Sequence, residues 1–258
     1  MRNLLLKLEA RGWIGLPPRL TASVNGLRNR SPGELEHDQT PMEGALASWR
    51  PVRLEPVAGP TEALLFRFLL QGYHYLGYRN CVGQNLKYLA RDRLGHPLAC
   101  LLFNAAAWKV AARDRWIGWD SPQRQHHLHL VGNHARFVVL PWARVPHLAS
   151  HLQGRVAARL AADWQQKYGQ PIYLVETFVE RDRFRGTCYR AAGWQRVGLT
   201  TGRSRNDKDG QLQVPTKEIY PARSRARCPS RSWQDHTTLV NRVQCPNRAV
   251  IFHSHRAA

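Results

Sequence analysis

The segment from Val145 to Gly169 constrains the fold most, because its apolar residues keep one helical spacing throughout. Five apolar side chains recur at four-residue intervals, at Leu148, Leu152, Val156, Leu160 and Trp164. This spacing places them on one face of an α-helix, and Gly169 predicts its end. The run PIYLVETFV at 171–179 follows, and its continuous apolar character predicts a strand buried on both faces. A long amphipathic helix leading into a buried strand is typical of an α/β domain.

Further helices and strands are predicted on either side of this pair. A helix begins near Thr61, and a hairpin with Gly95 in its turn covers 86–108. Two strand-like runs lie in HLHLVGNHARFVVLPW at 127–142, and a short helix lies in FRGTCYRAAG at 184–193. The run WQRVGLT at 194–200 closes the series as a strand. The sequence therefore predicts a single α/β domain on one mixed sheet.

The two ends of the chain differ in composition from this domain. Residues 1–16 predict an amphipathic helix, and the stretch after it is rich in Pro, Ser, Gly and charge, which is typical of a flexible linker. Residues 222–258 are basic and lack a sustained period. We therefore predict an N-terminal helix and linker at 1–50, the α/β domain at 51–221 and an irregular basic tail at 222–258. The tail is either a DNA-contacting extension or a segment foreign to the domain.

The charge of the chain favours a polyanionic partner. It carries 38 Lys and Arg against 18 Asp and Glu, a formal net charge of +20. Nucleic acid, DNA in particular, is the first candidate and an anionic membrane the second. An arginine-rich, GC-rich genome is the alternative explanation. No run is apolar enough to span a membrane, so we expect a cytoplasmic protein without a membrane partner.

The cysteines exclude two classes of site. The five cysteines include no CxxC pair, and their odd number does not allow all of them to pair in disulfides. Both features argue against a zinc ribbon and a disulfide scaffold. His127 and His129 would share one face of a strand, yet no partner cysteine or HExxH spacing accompanies them. We therefore predict no metal and no cofactor.

Several long motifs, in the right order, resemble the DruA family. They are YHYLGY at 73–78, AAWKVAARDRWIGW at 106–119, RFVVLPWARVPHLASHLQGR at 136–155, ETFV at 176–179 and FRGTCYRAAGWQRVGLTTGR at 184–203. The resemblance covers about residues 54–220. It implies a component of the Druantia anti-phage defence system, and similar domains also accompany transposase-like genes in mobile elements. A helicase or a transposase is the protein partner that this context implies.

A second, weaker resemblance concerns the fold. The order of hairpin, strand, long helix, buried strand, short helix and closing strand is similar to that of GNAT acyltransferases, and YRAAGW at 189–194 resembles the short helix of those enzymes. Their phosphate cradle reads Gln/Arg-x-x-Gly-x-Gly/Ala, and here His147 replaces the central glycine while Pro146 removes an N–H donor. Both changes oppose the close approach of a coenzyme A phosphate to the main chain.

The stretch ETFVERDRFRGTCYRAAGW at 176–194 holds the candidate catalytic residues. Glu176 lies near the end of the predicted central strand and could act as a general base, with Tyr189 as a general acid. Arginines in the same stretch could bind phosphate and lower the pKa of the Cys188 thiol. The structural alternative pairs Glu176 with an arginine in a polar core and buries Cys188 as a small hydrophobic residue.

The remaining candidates fit nucleic acid. In GYHYLGY, His74 lies between two tyrosines, which predicts either a base-stacking platform with a proton-transfer group or an aromatic helix end. In RDRWIGW, Trp116 and Trp119 are either both core residues or one core residue and one stacking residue, and Trp119 is the candidate for stacking. Phosphate contacts are expected from Arg113, Arg183, Arg185 and Arg203.

We accordingly expect a DruA-like protein that binds DNA through a basic, aromatic-lined cleft, in defence or beside a mobile element. Catalysis would further require Glu176 and Tyr189 to face one substrate. The alternatives are a GNAT-like group-transfer enzyme, possibly modifying a nucleobase, and a non-catalytic adaptor that recruits a helicase or transposase.

Overall fold

The computed structural model describes residues 2–16, 35–202 and 214–224, and its centre is a seven-stranded mixed sheet. The strands in spatial order are β2 (Arg53–Pro56), β3 (Asn85–Arg91), β4 (Pro97–Ala105), β5 (Val131–Val139), β7 (Leu174–Glu180), β9 (Lys217–Arg223) and β8 (Gly198–Leu199). Within this sheet, as formed by the described residues, β5 and β7 pair in parallel and the other neighbouring strands pair antiparallel. The prediction of an α/β domain on one mixed sheet is confirmed.

Six α-helices accompany the sheet in the described part of the chain. They are α1 (Arg2–Ala10), α2 (Gly59–Tyr73), α3 (Ala111–Ile117), α4 (Ser121–His127), α5 (Leu148–Tyr168) and α6 (Thr187–Ala191). The predicted helix stripe is buried on α5, and Gly169 ends that helix with φ +70°, a conformation that favours glycine. The predicted hairpin forms β3 and β4, and β7 and α6 also form where the sequence indicates.

The segment between β4 and the end of β5 differs from the prediction. The two expected strand-like runs are one strand, β5, preceded by a 3₁₀ turn at Leu128–Leu130. His127 ends α4 instead of lying on a strand. Helices α3 and α4 were not predicted, because seven residues are too few to establish a helical period. The Asp120 and Gln123 capping box marks the start of α4.

The two faces of the sheet have separate hydrophobic cores. Side chains alternate between faces along a strand, and Leu174 belongs to a small core with Trp119, whereas Val175 belongs to the main core with α5. We call these the α3 face and the α5 face. By the same alternation Thr177 lies on the α5 face and Glu176 on the α3 face, which decides what each can contact.

Part of the predicted N-terminal linker packs on the domain. Met42 in β1 (Met42–Glu43) is 1% exposed and pairs in parallel with Ala143 in β6 (Ala143–Arg144). The stretch at 17–34 lies outside the described residues, as does the predicted tail beyond Ser224. Strand β9 runs to Arg223, two residues into the predicted tail. No helix in the described ranges has the length and apolar character to cross a membrane.

Candidate functional site

A cleft opens in the middle of the sheet, where β5 and β7 stop pairing. Their parallel ladder ends at His134 and Thr177, after which β5 stays beside β4 and β7 beside β9. A β-bulge accompanies the divergence, because Ala135 has no partner on β4 although the residues before and after it do. Such a bulge bends its strand. The resulting β5–β7 cleft has a volume of about 710 Å³, within the range of ligand-binding clefts.

The β5–β7 cleft passes through the sheet and so is lined from both faces. Thr177 and Val179 from one face of β7 and Phe178 and Glu180 from the other all line it. We call its buried part, next to α6, the inner half; it is lined by His134, Phe137, Cys188 and Tyr189. The exposed part, next to the end of α2, is the outer half. A ligand in the cleft would therefore meet two different environments.

The outer half carries a group of rings and arginine that we call the Tyr75 cluster: His74, Tyr75, Arg183 and Phe184. The Tyr75 ring stacks on His74 with centroids 4.9 Å apart and meets Phe184 at 5.4 Å. The Arg183 guanidinium carbon lies 5.1 Å from the Tyr75 centroid, and its Nε donates to Glu180 Oε1 at 2.9 Å. Tyr75 is 37% and Phe184 49% exposed. Exposed rings beside an arginine are suited to stacking on bases.

Positive charge surrounds the Tyr75 cluster. Arg136, Arg185 and Lys217 line the cleft, and Glu180 is the single carboxylate among its described lining residues. That carboxylate already pairs with Arg183. Arg136 is half-buried and donates from Nε to the Gly77 carbonyl at 3.3 Å, and its burial lowers the pKa of the guanidinium. The cleft therefore presents net positive charge to an anionic ligand.

His74 is a neutral imidazole in this setting. It is the C-cap residue of α2, and its Nδ1 accepts the Leu76 N–H at 3.1 Å. Burial, together with the charges of Arg136 and Lys217, lowers its pKa to about 4. At neutral pH the ring proton therefore resides on Nε2, which can act as a hydrogen-bond donor.

His134 is the most deeply buried titratable group of the cleft. It is 3% exposed and stacks on Phe103 with centroids 4.2 Å apart and an interplanar angle of 11°. Burial and the nearby His74 lower its pKa to about 3, although the Arg136 backbone offsets part of this. Neither ring nitrogen forms a hydrogen bond of good geometry among the described residues. Unpaired polar atoms at such depth are unusual.

Helix α6 brings Tyr189 and Cys188 to the inner half of the cleft. Tyr189 is 8% exposed and its ring meets Trp194 at 5.2 Å and His134 at 6.0 Å. Burial raises the pKa of the Tyr189 hydroxyl, and it also raises the pKa of the half-buried Cys188 thiol. The expectation that neighbouring arginines lower the Cys188 pKa is therefore wrong, because desolvation dominates. Both groups remain protonated at neutral pH.

Glu176 and Arg113 form a buried ion pair away from the cleft. Arg113 Nη1 lies 3.0 Å from Glu176 Oε1, which also accepts the Ala107 N–H at 3.0 Å. Arg113 Nη2 lies 2.7 Å from Asp114 Oδ1, and both Glu176 and Arg113 are 0% exposed. Burial raises the pKa of Glu176, and the charge of Arg113 counters part of that rise.

This geometry corrects the expected roles of both residues. Glu176 projects from the α3 face of β7, whereas Tyr189 contacts His134 on the α5 face. The two cannot act on one substrate, and the Arg113 guanidinium has no surface on which a phosphate could bind. The structural alternative, a carboxylate paired with an arginine in a polar core, describes this arrangement.

The other two expected nucleic-acid contacts lie elsewhere. Trp119 is 7% exposed and packs in the α3-face core with Ile117 and Leu130, so its indole cannot stack on a base in this fold. Arg203 lies outside the described residues. Within residues 2–16, 35–202 and 214–224, no group of three His, Cys, Asp or Glu side chains could hold a metal ion.

A second cavity adjoins the β5–β7 cleft and extends its basic surface. It measures about 550 Å³, is lined in part by Arg79 and Trp108, and shares Arg136 with the cleft. Trp108 is 54% exposed, and the Arg124 guanidinium carbon lies 5.9 Å from its ring centroid. Sequence reasoning missed Arg136, Phe184, Lys217 and Trp108 as site residues. The bulge that precedes Arg136 has no sequence motif, and in the sequence Phe184 stands among charged residues.

Comparison with known proteins places this arrangement in a family. The family model for Druantia protein DruA matches residues 28–235, a span that includes the whole seven-stranded sheet and the cleft. Among curated proteins, none matches the sequence.

Solved structures similar to this chain include acetyltransferases. Spermidine N-acetyltransferase from Vibrio cholerae, in complex with CoA and spermine, is 7% identical, with a TM-score of 0.43 over 67% of this chain and 95% of its own. Nourseothricin acetyltransferase is 11% identical, with a TM-score of 0.40 over 67% of this chain and 98% of its own. Likenesses at these TM-scores carry no argument about what this chain binds.

Proposed function

We propose that this chain, which belongs to the DruA family, binds DNA through the β5–β7 cleft as part of anti-phage defence. Membership of the family supports the defence context. The observation that carries the binding proposal is the Tyr75 cluster, in which two exposed rings and an arginine lie beside the positive groups of the cleft. Stacking and charge attraction are the two components of sequence-tolerant binding to nucleic acid.

The side chains that form the interface differ in part from those expected. His74, Arg183 and Arg185 remain, and Tyr75, Phe184, Arg136 and Lys217 join them. Each base stacked on an aromatic ring contributes on the order of 1–3 kcal/mol. Arg203 stays a predicted phosphate contact, and a helicase or transposase stays the predicted protein partner. Trp119, Arg113 and Glu176 have structural roles in this proposal.

The cleft supports binding better than catalysis. Cys188 and Tyr189 are protonated at neutral pH because burial raises both pKa values. His74 is neutral, and the Glu180 carboxylate is held by Arg183. A ligand would therefore meet hydrogen-bond donors and rings instead of an activated nucleophile. We propose that the protein holds DNA for a partner.

Two substitutions in the Tyr75 cluster test the proposal. Fluorescence anisotropy would follow labelled single- and double-stranded 20-mers against the full chain and the variants Tyr75→Ala and Phe184→Ala. We expect each variant to weaken binding about tenfold, because each removes one stacking surface. Trp13→Ala is the matched control: Trp13 is 68% exposed, lies under Arg11 at 5.4 Å and does not line the cleft.

The same experiment separates the other functions. Equal loss in all three variants would remove the cleft from the interface. Absence of any binding, with a rise in melting temperature on adding acetyl-CoA, would replace the proposal with a group-transfer enzyme. Absence of both would leave an adaptor.

A further inference from the structure

The inner half of the β5–β7 cleft has a composition of its own. Its walls are aromatic rings at contact distance: Phe137 meets His134 at 5.6 Å and Tyr189 at 6.4 Å. Cys188 adds a thiol that burial keeps protonated. The arginines and lysine of the site belong to the outer half, so the inner half is suited to a planar, uncharged group.

Unpartnered nitrogens indicate that this planar group also forms hydrogen bonds. Both ring nitrogens of His134, which lines the inner half, are buried without a hydrogen bond of good geometry among the described residues. The His134 ring lies beside Tyr189, with the two centroids 6.0 Å apart. Neutral His134 offers one donor and one acceptor. A ligand that satisfies both needs an acceptor and a donor on its own edge.

Access to these nitrogens comes from the divergence of the strands. Beyond His134 and Thr177 no ladder bonds join β5 to β7, so the cleft connects the Tyr75 cluster on the outside to His134 on the inside. His74 at the outside lies close enough to His134 to contribute to the lowering of the His134 pKa. A flat ring could therefore enter between the strands while an attached phosphate stays beside Arg136 and Lys217.

We propose that the inner half of the cleft binds one unstacked nucleobase, with His134 on its hydrogen-bonding edge and Phe137 and Tyr189 against its surface. The inference rests on the proposed function and adds its specificity element. Nucleobases combine a stacking surface with an edge of donors and acceptors, and proteins read unstacked bases by these two features. The base comes either from a DNA strand or from a free nucleotide.

The test compares a thymidine 12-mer with a 12-mer of the same charge made only of abasic sites, using the full chain. We expect the wild type to bind the thymidine strand at least tenfold more tightly. His134→Phe keeps the aromatic ring and removes the nitrogens, so it should weaken thymidine-strand binding about tenfold and leave abasic binding unchanged. Cys188→Phe, which narrows the inner half, should do the same and serves if His134→Phe fails to fold.

Trp164→Phe is the matched control, because it too removes a buried unpartnered nitrogen, outside the cleft. It should bind both strands as the wild type does. A thermal-shift comparison of thymidine monophosphate with deoxyribose 5-phosphate distinguishes a free nucleotide from a DNA strand as the source of the base. Stabilisation by thymidine monophosphate but not by deoxyribose 5-phosphate assigns the pocket to free nucleotides. Preference for the 12-mer with no effect of the nucleotide assigns it to a strand.

The outcomes also separate this inference from the proposed function. Equal wild-type affinity for the two 12-mers would overturn the nucleobase pocket and leave phosphate binding in place. Unchanged thymidine-strand binding in both His134→Phe and Cys188→Phe, with the wild-type preference retained, would move base recognition to the Tyr75 cluster alone. No binding of either 12-mer would overturn the proposed function itself.

Discussion

Individual residues in this protein take their roles from the face of the strand on which they lie. Glu176 and Thr177 are neighbours on β7, yet Glu176 forms a buried ion pair with Arg113 while Thr177 lines the cleft. The sequence predicts that Glu176 lies near the end of a central strand, a position that fits a catalytic base and a core ion pair equally well, whereas it is the third residue of β7. The arginine that decides between them comes from α3, a helix too short to be predicted.

Removing the charge of Glu176 should destabilise the fold. Glu176→Gln leaves Arg113 buried beside Asp114 without its second carboxylate, and breaking a buried pair in this way costs about 3–5 kcal/mol. Urea denaturation would measure the loss. The double variant Arg113→Met, Glu176→Met should recover much of it, since no charge is then left unpaired. Unchanged stability of Glu176→Gln together with lost DNA binding would restore Glu176 to the functional site.

His134 should make stability depend on pH. Burial lowers its folded pKa to about 3, from an ordinary histidine value of 6.5, so below pH 6.5 the unfolded chain takes up a proton that the folded chain does not. Stability therefore falls as pH decreases, by about 2 kcal/mol between pH 7 and pH 5 from this group alone. His134→Phe should lose correspondingly less over the same interval in urea titrations. Equal losses of stability in the wild type and His134→Phe would mean that His134 takes up its proton in the folded chain as readily as in the unfolded chain.

At the scale of elements, the cleft depends on where β5 and β7 stop pairing and on where α6 lies beside them. The period of α5 and the apolar run of β7 predicted both elements correctly, because burial dictates their patterns. The bulge at Ala135 could not be predicted, since it arises from the pairing of β5 with β4. The position of α6 depends on Gly186, which has φ +63°. A Cβ added at this position would lie 2.6 Å from Tyr220 Oη.

Gly186→Ala should therefore disturb one wall of the cleft. Strained backbone costs about 1–3 kcal/mol, and the contact with the buried Tyr220 adds to that. Gly169→Ala is the control, because Gly169 has φ +70° but open space at its Cβ position. Urea denaturation should show a larger loss for Gly186→Ala, and DNA binding should weaken in that variant alone because Phe184 and Arg185 adjoin it. Equal losses of stability in Gly186→Ala and Gly169→Ala would indicate that Tyr220 moves away from the added methyl group at no cost in stability.

For the whole molecule, composition predicted a class of partner but could not locate the surface that would bind it. The net charge of +20 predicts a polyanionic partner, and the sequence predicts that the motif around His74 and the run containing Arg183 and Arg185 belong to the interface. The sequence alone does not distinguish Arg113 and Trp119 from exposed basic and aromatic residues, but the fold buries both of them on the α3 face. Sequence patterns record which residues are basic or aromatic, but burial is decided by contacts between distant segments.

The salt dependence of DNA binding tests the central claim most directly. Anisotropy with a labelled single-stranded 20-mer, measured between 50 and 300 mM salt, should give a log affinity that falls linearly with log salt. Arg185→Ala and Lys217→Ala should each reduce the slope by about one, whereas Arg155→Ala, an exposed arginine on α5 outside the cleft, should reduce it less. Slopes that respond to Arg155 as strongly as to the cleft residues, or no binding at 50 mM salt, would contradict the account.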